Sequence, residues 1–154
     1  MTEIRSIESG TDWMYRYARW RYEAFFDPAE DDYSESEQQV ADHCADRGPW
    51  AVLGALREGH LVGGAMLVPR ELMERDYERA PWLAAIYVVE AARGQGIGRL
   101  LVQAVEAAAR DRGFATVSLY TIDKAPFYAR CGWRSVETFD YDDGETYILM
   151  DRRL

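Results

Sequence analysis

The stretch Arg93-Gly94-Gln95-Gly96-Ile97-Gly98 constrains this chain more than any other. It follows an apolar run, Leu83 to Val89, which reads as a central strand. It opens a segment in which Ile97, Leu100, Leu101, Ala104, Val105 and Ala108 recur at helical spacing. Arg99, Gln103, Glu106 and Arg110 are expected to face away from the core, and Gly113 to end the helix. A glycine-rich turn between a strand and a helix aims several backbone N–H groups at one point, with the helix dipole behind them. Such a turn is an anion site, most often for phosphate.

Three common phosphate loops fit poorly. A Walker loop needs Gly-Lys-Ser/Thr after the last glycine, but Gly98 is followed by Arg99-Leu100. A kinase glycine loop lies between two strands, whereas this one starts a helix. In a dinucleotide-binding turn the third glycine falls one residue later and a βαβ unit surrounds it; here a meander of strands precedes the loop.

The rest of the chain reads as one domain over 1–154, a length that suits a single core. A first strand is expected from Glu3 to Glu8. A helix capped by Thr11 or Asp12 runs to about Phe26 and is dense in aromatic residues, some of which can line a pocket. A second helix follows the acidic segment Asp27 to Glu37 and ends near Asp46. Trp50–Arg57 and Leu61–Pro69 form a hairpin, Arg70–Ala80 reads as a charged loop, and Ala115–Thr121 is a strand. Pro126 starts a short helix that stops at Gly132, and Trp133–Phe139 with Glu145–Asp151 makes a terminal hairpin. The order gives an α/β domain with a mixed sheet.

The net charge of −9 argues against nucleic acid, which needs a basic face. It favours a cationic small molecule or peptide. No run approaches the roughly 18 apolar residues of a membrane span. No secretory signal is read at the N-terminus, so the cytoplasm is the expected location. Cys44 and Cys131 are too few for a disulfide scaffold. With His43 and His60 they show no spacing for a metal. Cys131 reads as packing, with no histidine placed to activate it.

The longer stretch Ile86 to Gly98 resembles the acetyl-CoA loop of the GCN5-related N-acetyltransferases (GNAT), whose Arg/Gln-x-x-Gly-x-Gly/Ala signature matches Arg93, Gly96 and Gly98. Phe127-Tyr128-Ala129-Arg130-Cys131-Gly132-Trp133 resembles the family's Phe-Tyr-x-x-x-Gly-Phe segment. The resemblance implies an acyl-CoA N-acyltransferase fold: three layers, with a mixed, mostly antiparallel sheet flanked by helices. It implies direct transfer of an acetyl group from acetyl-CoA to a primary amine of a small molecule or peptide. Tyr128 stands at the general-acid position, and a backbone N–H near Val88 or Val89 is the expected oxyanion donor. Val88, Val89, Arg93, Gly94, Gln95, Gly96, Ile97, Gly98, Arg99 and Asp123 are the implied cofactor-binding residues, with no metal. The family commonly dimerises, and the aromatic residues of this chain permit a homodimer.

Two departures stand out. The family's strand glutamate is replaced by Ala84 and Ala85, leaving Glu137, Asp140, the acidic segment after Phe26, or water as base. The family's asparagine is Ile122 here; neighbouring Asp123 either substitutes for it or caps the helix of Tyr128. These departures keep open two other readings, a non-catalytic CoA-binding module and a transferase for longer acyl chains.

Overall fold

The computed structural model describes residues 1–46, 48–71 and 74–154. Seven strands form one sheet: β1 (Thr2–Ser6), β2 (Ala51–Arg57), β3 (His60–Val68), β4 (Trp82–Val88), β5 (Thr116–Thr121), β6 (Arg134–Asp140) and β7 (Thr146–Arg153). Their spatial order is β1-β2-β3-β4-β5-β7-β6. Only the β4–β5 pair is parallel; the others are antiparallel. Among the described residues the α-helices are α1 (Asp12–Phe25), α2 (Tyr33–Ala45), α3 (Ile97–Asp111) and α4 (Ala125–Arg130).

The sheet separates two cores, giving three layers. On one face α3 lays Ile97, Leu101, Val102 and Val105 against Leu53, Ala65 and Leu67. On the other, α1 and α2 bring Met14, Tyr17 and Val40 onto Val52, Met66 and Trp82. The Thr11 hydroxyl caps α1 by accepting from the Met14 N–H at 3.2 Å. Buried Met14, Tyr17, Ala18 and Arg21 share one stripe at positions i, i+3, i+4 and i+7.

The buried face of α3 is rotated from the expected one. Leu100 is exposed, while Glu106 is buried. Its carboxylate accepts from Arg152 Nε of β7 at 2.9 Å, which offsets the cost of burying the charge. Simple periodicity assigns Glu106 to solvent because it cannot register a partner from a distant strand.

Two irregularities at β4 shape the functional region. β4 and β5 pair only at Trp82↔Ser118, so they part beyond that point. On its other side, the register of β4 with β3 shifts between Gly64 and Met66. Ala85 sits in this bulge at φ +52°, a left-handed conformation that costs a residue with a Cβ about 1–2 kcal/mol. The buried Tyr17 hydroxyl donates to the Ala85 carbonyl at 2.7 Å and braces it. Gly64 makes room for the Tyr17 ring: a Cβ there would lie 2.4 Å from Tyr17 Cδ1.

Candidate active site

The glycine turn leads into α3 as expected. Gly94 and Gly96 adopt φ +75° and +84°, and a Cβ on either would meet no atom within 4 Å. Above both lies open space, which suits a bulky anion. Gly96 is the N-cap of α3 and supplies no side-chain cap, leaving the first-turn N–H groups available to a ligand. At Gly98 a Cβ would lie 3.3 Å from Phe127 Cζ, so the turn packs directly under α4. The residues present therefore fit a pyrophosphate.

Side chains of the turn divide by role. Arg93 Nε donates to the Val88 carbonyl at 2.8 Å, tying the turn to the end of β4. Its guanidinium also lies 5.5 Å from the centre of the Tyr87 ring. Gln95 is engaged by Arg57. Ile97 is buried and anchors α3, so only its backbone can face a ligand. Arg99 is exposed. Val89 N–H donates to the Val62 carbonyl at 2.9 Å. Strand alternation then turns the Val88 N–H the other way, into the gap between β4 and β5.

That gap is the mouth of a cavity of about 990 Å³. Arg93, Gly98 and Val88 line it, together with Tyr128 and Phe127 of α4, Phe25 and Phe26 at the C-terminal end of α1, and Tyr120 and Tyr147 of the sheet. Tyr128 is buried, its ring against Phe127 and Trp133. Burial holds its hydroxyl well above the usual phenol range, so it is protonated at neutral pH and fit to donate. Burial also raises the Cys131 thiol, which packs beside the core as an inert group.

The acetyltransferase (GNAT) family model matches residues 14–133. The chain belongs to that family. As a GNAT member it is an acetyl-CoA-dependent N-acetyltransferase. Its fold matches that of a ribosomal-protein-alanine N-acetyltransferase from Brucella melitensis, at 22% identity and TM-score 0.74, covering 99% of each chain. It also matches an aminoglycoside 6'-N-acetyltransferase from Enterococcus faecium, at 16% identity and TM-score 0.75, covering 98% of this chain and 96% of that one. An aminoglycoside 6'-N-acetyltransferase complexed with coenzyme A gives 17% identity and TM-score 0.76, again covering 98% and 96%.

Several sequence expectations for this GNAT domain change in detail. Asp123 does not cap α4. The N-cap is Lys124, with no side-chain hydrogen bond. Instead Thr121 Oγ1 accepts from the Lys124 N–H at 2.9 Å, and Asp123 lies exposed at the cavity wall. Three of the six acidic residues from Asp27 to Glu37 accept from nearby backbone N–H groups. Asp27 accepts from Ala29 N–H, Asp31 from Asp27 N–H and Asp32 from Ser34 N–H, at 2.8–3.0 Å. None of these three lines the cavity, and neither do Glu137 and Asp140. The carboxylate that does, beside Asp123, is Glu71. It falls in the stretch read as a charged loop, Arg70–Ala80, where Leu72 and Met73 lie outside the described residues. Nothing in that charged sequence marks Glu71 as inward. Arg21 had a signal: one charge on the apolar stripe of α1.

Proposed function

We propose that this enzyme moves an acetyl group from acetyl-CoA to a primary amine of a small molecule or peptide by direct attack, with Tyr128 as general acid. One observation carries the reading: a single cavity joins the glycine turn, the Val88 backbone, Tyr128 and an aromatic chamber. Donor and acceptor can therefore meet without a covalent enzyme intermediate.

The uncapped N–H groups at the start of α3 and the open space over Gly94 and Gly96 would hold the pyrophosphate. Arg93 keeps the turn against β4, and the parted edge of β4 offers backbone groups to the pantetheine arm. Bound there, acetyl-CoA supplies an acyl group already activated as a thioester. The Val88 N–H would donate to the thioester oxygen as it gains negative charge. Tyr128 gives its phenolic proton to the departing sulfur.

The chamber end, with Phe25, Phe26, Tyr120 and Tyr147, supports an acceptor that presents an ammonium against aromatic faces. A broad panel of primary amines, polyamines, aminoglycosides and peptide N-termini tests the reading. CoA thiol release should match acetylated acceptor one for one. Tyr128→Phe should lower kcat by roughly 10²-fold, with acetyl-CoA affinity within about threefold of wild type. Equal turnover in the variant would remove Tyr128 from the chemistry.

A further inference from the structure

Resting on that reading, we propose that Glu71 takes the proton from the acceptor ammonium and is the base of the reaction. The strand position that carries a glutamate in other family members holds Ala84 and Ala85. Among the described residues lining the cavity, the carboxylates are Glu71 and Asp123. Asp123 is exposed beside Lys124. Glu71 is only partly exposed and lies three residues beyond the end of β3.

The chain from Arg75 to Arg79, between Glu71 and β4, is fastened to the sheet. The Tyr120 hydroxyl donates to the Asp76 carboxylate. Arg75 donates to Glu137 at 2.8 Å and lies 3.9 Å over the Phe139 ring. Trp82 Nε1 donates to the Arg79 carbonyl at 2.8 Å, and Arg79 reaches Asp151 at 3.5 Å. These contacts reach β4, β5, β6 and β7, so Arg75, Asp76 and Arg79 are fixed from several strands at once. Glu137 is paired with Arg75 and does not line the cavity, which sets it apart from Glu71.

Among the described residues, the titratable and charged groups that couple electrostatically to Glu71 are Tyr17 and Arg21 from α1 and Tyr120 from β5. Arg21 is largely committed elsewhere: its guanidinium donates to Ser36 and to Gln39 of α2 at 3.0–3.1 Å. Burial outweighs the attraction of Arg21 and pushes the Glu71 carboxyl up to about 7. A base in that range exchanges protons most effectively at neutral pH.

The protons balance. Glu71 takes one from the ammonium, freeing the nitrogen lone pair. The N–C bond forms and the C–S bond breaks, while Tyr128 protonates the sulfur. The second amine proton restores Tyr128, and Glu71 releases its proton to solvent.

The test is kcat/KM against pH for wild type, Glu71→Gln and Glu71→Asp. Two acceptors are compared: the best alkylamine from the panel and its fluorinated, weakly basic analogue. Wild type should rise to a plateau above pH of about 7. Glu71→Gln should lose roughly 100-fold at pH 7 with the alkylamine and climb without a plateau, since only free amine then reacts. With the weakly basic amine its loss should shrink below about fivefold. Glu71→Asp should be slower but keep the plateau. Melting temperature and acetyl-CoA affinity report that each variant is folded. A Glu71→Gln enzyme that keeps the plateau, that loses as much with both amines, or that changes KM alone overturns the assignment while leaving acetyl transfer intact. A wild type that acetylates no amine overturns both.

Discussion

Tyr17→Phe removes one oxygen and should disturb both stability and cofactor binding. The Tyr17 side chain is fully buried, and burial holds its hydroxyl well above the usual phenol range, so it is always a donor. It gives its proton to the Ala85 carbonyl at 2.7 Å. Losing this bond in so buried a setting costs about 1–3 kcal/mol. The bulge residue Ala85, at φ +52°, already carries strain of similar size, so the bond and the strain are comparable. Removing the bond lets the bulge relax and redirects the backbone toward Val88, where the cofactor arm would lie. At this chain length each kcal/mol moves the melting temperature by about 2–4 °C, so Tyr17→Phe should melt roughly 2–12 °C lower. If the bulge shifts by even half of that energy, acetyl-CoA affinity should fall about threefold to tenfold. Thermal melts and titration with acetyl-CoA measure the two effects. Tyr15→Phe is the control, because Tyr15 lies on the exposed side of the same helix. A Tyr17→Phe protein that melts within about 1 °C of wild type and binds acetyl-CoA equally well would refute the bracing role.

Gly64→Ala attacks the same brace from the other side. Its Cβ would press on Tyr17 at 2.4 Å, and a loss of about 1–3 kcal/mol in melting experiments is expected. Gly96→Ala and Gly144→Ala impose similar backbone strain, at φ +84° and +82°, with open space at both Cβ positions. Both should cost about 1–2 kcal/mol in denaturant titrations, but only Gly96→Ala should weaken acetyl-CoA binding, by tenfold or more. Stability should also carry the signature of Glu71. Its folded carboxyl titrates near 7 against an ordinary value of 4.5, so in that window the folded chain holds a proton that the unfolded chain has lost. Stability therefore falls as pH rises from about 4.5 to 7 and levels off above, by up to about 3 kcal/mol from this group. Denaturant titrations at pH 5 and pH 8 should show Glu71→Gln gaining on wild type at the higher pH.

Much of the fold was legible because local rules and tertiary packing agree. The glycine turn, the amphipathic α3, the β2–β3 hairpin and the Pro126 helix start each carry their own chemistry. The left-handed turn residues Glu58 and Gly59 occur where the hairpin signal lies. What could not be read depends on partners far apart in sequence. Glu106 turns inward for Arg152, across 46 residues. The acidity of Asp27 to Asp32 serves mainly local turns and a helix cap, which composition cannot distinguish from a field for a cationic ligand. Glu71 is hidden for the opposite reason: in a row of charges, only the fold separates an inward carboxylate from its solvated neighbours. Among the residues proposed to hold the cofactor, the glycines and Arg93 stand out in the sequence through the family signature they match. The choice between the N–H groups of Val88 and Val89 required the β3–β4 register.

The most direct measurement of the central claim is a two-product assay on the purified chain with acetyl-CoA and the amine panel. CoA thiol is followed optically and acetylated acceptor by mass spectrometry, for wild type and Tyr128→Phe. At least one amine should yield both products in equal amounts, at a rate that falls roughly 10²-fold in the variant while acetyl-CoA binding persists. Saturable acetyl-CoA binding with no acetylated amine anywhere in the panel would contradict the account.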